Sequence, residues 1–226
     1  VTGVQTCALP ISIGGGMAAQ AMEDGNLEMC VLLLLGFTCL LRTGELLNLT
    51  IHDFSLSDTT GVCALRNTKS GRRHSVNEVV SFTDAITLEC VKELYVFVAV
   101  PKGPLLWSSS PSFFRQQFKF FCDAWGLESH EFRPYSLRRG GATFLFQSTN
   151  SMEAALVKGR WQSSKVAKLY ISDGLSYLPN IKMTSHTAQM LLKYHFLSPI
   201  KDEDEHYVGV RGNSSRLFEI DLILEF

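Results

Sequence analysis

The chain has 226 residues, 46% of them hydrophobic and 19% charged, so it can bury a sizeable core and is not a disordered polyelectrolyte. Its formal net charge of −1 conceals a split: residues 61–193 carry 17 Lys and Arg against 9 Asp and Glu, a net of +8, while the remainder carries 4 against 13, a net of −9. A basic middle between acidic ends suits a local polyanion site, although scatter plus an acidic tail gives the same sum.

Residues 1–12 have neither a basic n-region nor an apolar h-region, which excludes a secretory signal, and they read as a sequencing-adapter oligonucleotide translated in frame. On that reading residues 1–16 are an artefactual or disordered leader, with Gly14, Gly15 and Gly16 as a flexible joint, and the chain is a fragment lacking its own N-terminus. Residues 17–41 predict one helix, amphipathic at first and then apolar all round, which implies burial. Its apolar run over 29–41 is too short to span a bilayer. A short helical piece over 43–49 follows. Residues 62–65 and 74–81 predict two strands joined by a Gly-containing turn at 68–73.

Thr83 or Asp84 can cap a helix running to about residue 98, broken by Pro101 and Gly103. Ser110 and Pro111 open another, with Phe114, Phe118 and Phe121 on one face and Gly126 at its end. Pro134 precedes a helix over 135–147, and further helices are expected over 151–157, 163–171 and 184–194. No internal repeat is present. The elements amount to a mainly α fold with a small antiparallel β-sheet (α+β), one domain over 17–198, and an acidic tail over 199–226. The six cysteines, at 7, 30, 39, 63, 90 and 122, form no CxxC motif and read as reduced core residues of a cytosolic or nuclear protein.

Taken singly, no polar residue is diagnostic. Arg42 ends an apolar helix, and Glu45 three residues on can pair with it as an ordinary helical ion pair. Lys69 stands among Arg66, Arg72 and Arg73, either on a solvated basic turn or on a loop dipped toward a phosphate backbone. Arg138 and Arg139 open the helix after Pro134, where a helix N-terminus favours an anion. Gly140 and Gly141 follow them, tolerable inside a helix if another backbone packs closely. Trp161 is more often core than ligand, yet its indole N–H is one directed donor. Tyr170, nine residues later, is by itself an ordinary packing residue.

The order and spacing of the set carry more. An Arg with Glu three residues on, a hairpin Lys, Pro-Tyr-Ser-Leu-Arg, Gly-Arg-Trp and a Tyr nine residues after the Trp resemble the tyrosine recombinase (phage integrase) family over about 130 residues, 42–170. Arg42 and Glu45 match the first box, Lys69 the hairpin, Arg138 the second arginine, Trp161 the His/Trp position and Tyr170 the nucleophile. One position departs: the second box usually begins with His, and Tyr135 stands there, a phenol with an ordinary pKa near 10 and a poor base at neutral pH.

The resemblance implies the fold of a tyrosine recombinase catalytic domain and phosphoryl transfer without metal or nucleotide cofactor. Arg42, Arg138 and Trp161 would hold the non-bridging oxygens of the scissile phosphate, with Tyr135 in the usual His place. Tyr170 would attack phosphorus to give a 3′-phosphotyrosyl bond, Lys69 would protonate the departing 5′ oxygen, and Glu45 would orient Arg42. Arg66, Arg72, Arg73, Arg139 and Arg160 are expected at the DNA backbone. The implied partner is double-stranded DNA, engaged by a homo-tetramer of the full-length protein. The reaction would serve site-specific recombination or integration of a mobile element, with no membrane involved, in a nucleus or in a bacterial cytoplasm or nucleoid. Two readings share these residues: a decayed recombinase that binds DNA without cutting it, and a type IB topoisomerase-like enzyme.

Overall fold

A computed structural model describes residues 8–66, 68, 78–98 and 105–194. Helix α1 (Ile11–Glu23) and helix α2 (Leu27–Thr38) replace the single helix expected over 17–41. Gly25 is left-handed (φ 73°); its N–H donates to the Met22 carbonyl at 3.0 Å, and the Asn26 N–H donates to the Ala21 carbonyl at 2.8 Å. This is the Schellman closure that glycine favours. Asn26 then caps α2, its Oδ1 accepting from the Met29 N–H at 3.1 Å. The polar stretch Glu23-Asp24-Gly25-Asn26, which the expectation of one long helix overran, holds a stop and a start one residue apart.

Residues 8–16 differ from the expectation of a flexible joint. Gly14, Gly15 and Gly16 lie inside α1 and are buried. Leu9 and Ile13 belong to the core, and the Leu9 N–H donates to the Ser136 carbonyl at 3.1 Å. The three small residues suit burial because a side chain at Gly16 would strike the Trp125 ring, 2.1 Å from its ideal Cβ.

Helix α2 is the hub of the core: every residue from Met29 to Phe37 is buried, as an all-round apolar helix requires. It ends at Thr38 with Cys39 as its C-cap, Leu40 just beyond is left-handed (φ 51°), and Arg42 then starts the short helix α3 (Thr43–Leu46). Three strands follow, β1 (Phe54–Leu56), β2 (Gly61–Leu65) and β3 (Glu78–Phe82), in an antiparallel sheet of order β1-β2-β3. Phe54 faces Cys63 across one ladder, and Cys63 faces Val80 across the other. Strand β1 was not expected, because three residues are too few to display an alternating pattern. The turn at 69–73 and the first part of the strand expected over 74–81 lie outside the described residues.

Helix α4 (Ala85–Val98) is capped by Asp84, whose Oδ1 accepts from the Thr87 N–H at 2.7 Å. Helix α5 (Pro111–Ala124) begins at the Ser110 cap and buries Phe114, Phe118 and Phe121, as their spacing predicts. Helices α6 (Tyr135–Thr149), α7 (Met152–Gly159), α8 (Ser164–Tyr177) and α9 (Ser185–Lys193) complete the described chain. Helix α6 packs on α2, α7 and α8. Its two glycines permit this: a Cβ on Gly140 would lie 1.9 Å from the Leu9 carbonyl oxygen, and one on Gly141 2.1 Å from that of Phe37. Helix α8 runs past the expected end at residue 171, because Gly174 is the contact point with Thr143 of α6 rather than a stop. Among the described residues, no helix is long and apolar enough to cross a membrane.

Candidate active site

The N-termini of α3 and α6, the α7–α8 connection and the middle of α8 converge on one cluster. Arg42 enters it from the start of α3. Its Nη1 donates to Glu45 Oε1 at 2.5 Å, and its backbone N–H donates to Glu45 Oε2 at 2.8 Å. Glu45 Oε2 also accepts from Arg160 Nη2 at 2.7 Å. Burial pushes the Glu45 carboxyl up, but the Arg160 charge, the Arg42 N–H and the Arg42 charge outweigh it and hold it below its ordinary value. The Arg42 side chain keeps 32% of its surface exposed while Glu45 keeps 7%, so the guanidinium is anchored from below and open above.

Arg138 lies deeper and has no exposed surface. It donates from Nη1 to the Leu40 carbonyl and from Nη2 to the Gly159 carbonyl at 2.5 Å, while its buried Nε has no hydrogen-bond partner. Burial, then the nearby Arg42 and Arg160 cations, pulls the guanidinium down to about 10. The Leu40 and Gly159 acceptors are carbonyls rather than carboxylates, and with Arg42 and Arg160 close by the local potential is positive, which an anion would relieve. The Trp161 indole covers it, with the Arg138 guanidinium carbon 4.8 Å from the ring centroid. The absence of a side chain at Gly159 makes this possible: a Cβ there would sit 2.3 Å from the indole.

Tyr170 packs against Trp161, with ring centroids 5.4 Å apart. Its hydroxyl is 2.7 Å from that of Tyr135, and the two rings meet edge to face at 5.9 Å. Burial, then the hydrogen bond with Tyr170, pushes the Tyr135 phenol up to about 12. Arg139 braces the Tyr170 ring from 5.0 Å and pairs with Asp173, one turn further along α8.

The structure therefore assembles Arg42, Glu45, Tyr135, Arg138, Trp161 and Tyr170, which are separated by up to 128 residues in sequence. Lys69, Arg72 and Arg73 lie outside the described residues. Three arginines expected at a DNA backbone are paired with carboxylates in this structure. The Arg139 and Arg160 side chains are only 6% and 8% exposed and paired with Asp173 and with Glu45 and Glu78. Arg66 keeps 63% exposure but its Nε is tied to Asp53 at 2.5 Å. These carboxylates were missed, because Asp53, Glu78 and Asp173 form no local motif with their partners. His130 bonds the Tyr177 hydroxyl at 2.8 Å, two turns beyond Tyr170 on α8.

No protein-family model and no curated protein sequence matches the chain. Solved structures do. XerH site-specific recombinase bound to palindromic difH substrate in a post-cleavage complex aligns with a TM-score of 0.61 at 17% identity, over 77% of this chain and 52% of that one. Its pre-cleavage complex with difH substrate gives 0.60 at 17%, over 76% and 52%. XerA recombinase gives 0.58 at 17%, over 76% and 62%. The chain thus spans about half the length of the XerH chains it matches. Its mainly helical architecture with one small antiparallel sheet is the fold of the tyrosine recombinase catalytic domain.

Proposed function

We propose that the protein cleaves and rejoins DNA through a covalent bond between Tyr170 and a 3′ phosphate. The observation that carries this reading is the Tyr170 hydroxyl, held 2.7 Å from Tyr135 at the edge of a cluster of arginines. The fold shared with site-specific recombinases supports it.

In this account Tyr170 Oη gives up its proton to water and attacks phosphorus, a P–Oη bond forms, and the bond from phosphorus to the 5′ oxygen breaks. The leaving oxygen takes a proton, a task assigned to Lys69. Arg42, anchored by Glu45 and one-third exposed, meets the non-bridging oxygens first. Arg138 adds charge from beneath the indole, and engaging a phosphate directly exchanges one of its carbonyl bonds. Tyr135, whose proton is held tightly, donates to Tyr170 and stabilises its developing phenolate. A 5′-hydroxyl from a second strand reverses the step, so the energy of the broken bond is conserved. The partner is double-stranded DNA, the assembly a tetramer of the full-length protein, and the setting recombination or integration in a nucleus or a bacterial cytoplasm.

The test is incubation with nicked suicide duplexes of random sequence, in which the cleaved fragment diffuses away and the adduct is trapped. A protein–DNA adduct should form and be lost in Tyr170→Phe; an adduct that survives in Tyr170→Phe contradicts the reading. A second reading, DNA binding without cleavage, is favoured by one feature: Tyr135 at about 12 cannot accept a proton at neutral pH as a histidine can. It is the conclusion if the protein retains duplex DNA and forms no adduct.

A further inference from the structure

The Arg160 side chain is only 8% exposed, and the residue stands where the backbone favours glycine: it is left-handed, with φ 54° and ψ 42°. Its side chain spans two carboxylates from different elements. Nη2 donates to Glu45 Oε2 of α3 at 2.7 Å, and Nε donates to Glu78 Oε2 of β3 at 3.1 Å. Nη1 reaches the carbonyls of Cys39 at 3.4 Å and Lys158 at 3.5 Å. Two residues earlier, Lys158 Nζ donates to the Ser81 carbonyl, a second tie from α7 to β3. The residue after Arg160 is Trp161. One guanidinium therefore joins the carboxylate that holds Arg42, the strand that follows the hairpin segment containing Lys69, and the connection that presents the indole.

Resting on the cleavage reading above, we propose that Arg160 is a positioning residue for strand cleavage: it sets Arg42 through Glu45 and the sheet through Glu78, and makes no contact with DNA. Its planar fork is what the task needs, since a guanidinium donates along fixed directions to two acceptors at once. A lysine keeps the charge and cannot span both carboxylates. A glycine suits the backbone and removes the links.

The variants Arg160→Gly, Arg160→Lys and Glu78→Gln are compared with the wild-type chain in single-turnover adduct formation on nicked suicide duplexes recovered by the wild-type protein from a random pool. Amide hydrogen exchange at residues 42–46 and 78–82 is followed in parallel. The proposal predicts that Arg160→Gly and Arg160→Lys both lower the saturating rate by roughly 10- to 100-fold. Half-saturation should stay within about twofold, with the slope against salt unchanged. Exchange should rise in both segments. Glu78→Gln should move the rate and the exchange in the same direction, and combined with Arg160→Gly it should add little. A wild-type rate in Arg160→Lys overturns the proposal. So does weaker half-saturation with a salt slope reduced by about one and an unchanged saturating rate, the signature of a phosphate contact. If Arg160→Gly does not fold, Glu78→Gln decides by the same readouts. If the wild-type protein forms no adduct, the cleavage reading fails; unchanged exchange in both segments then overturns the coupling, and a rise in both sustains it.

Discussion

At the scale of single residues, the proposed chemistry rests most heavily on the two tyrosines. Removing the Tyr135 hydroxyl in Tyr135→Phe keeps the ring packing and deletes the 2.7 Å contact to Tyr170. Adduct formation should slow by roughly 10- to 100-fold while duplex affinity stays unchanged. Tyr135→His should retain activity and add an acid limb near pH ~6.5, where imidazole titrates; a pH–rate profile without that limb contradicts the assignment. Glu45 gives a second prediction. Its folded-state pKa is lowered, so its contribution to stability is fully present above the ordinary carboxylate value and is lost as pH falls through the lowered one. Melting temperatures of the wild type should therefore fall between about pH 5 and pH 3 more steeply than those of Glu45→Gln. At neutral pH Glu45→Gln should cost about 3 kcal/mol by leaving Arg160 half-paired, readable by urea titration. Arg42, Arg138, Trp161 and Tyr170 were picked out in the sequence by their resemblance, in order and spacing, to the tyrosine recombinase motif. The partners Glu78 and Asp173 stayed hidden because each is set by tertiary proximity to an arginine.

At the scale of elements, glycines decide both what could be read and what could not. The pair Gly140–Gly141 signals close backbone approach, and α6 does press on the Leu9 and Phe37 carbonyls there. Gly141→Ala should destabilise the fold by about 2 kcal/mol in urea denaturation, because the new methyl meets backbone that cannot swing aside. A neutral substitution would mean that α2 and α6 can separate without cost. Elsewhere the same residue type misled. The Gly25 turn was read through as part of one long helix although Glu23, Asp24 and Asn26 flank it, and the buried Gly14–Gly16 run resembled a flexible joint. The difference lies in what surrounds each glycine, and sequence spacing does not carry that.

At the scale of the whole molecule, the fold class was legible because amphipathic and apolar helices dominate, and helical periodicity is a strong signal. The arrangement of helices around α2 was not, since it depends on which faces meet. The charge split belongs to this scale too. A basic middle bearing a net of +8 should make duplex binding fall steeply with salt, log affinity against log salt sloping by about −0.9 per phosphate engaged. Binding that is flat with salt would remove DNA from the account.

On the proposed function, the bond to DNA forms on Tyr170. The direct measurement is mass spectrometry of the trapped adduct after nuclease and trypsin digestion. A nucleotide remnant is expected on Tyr170, which trypsin leaves in the same peptide as Tyr177 and away from Tyr135. A remnant on Tyr135, on Tyr177 or on any serine would contradict it.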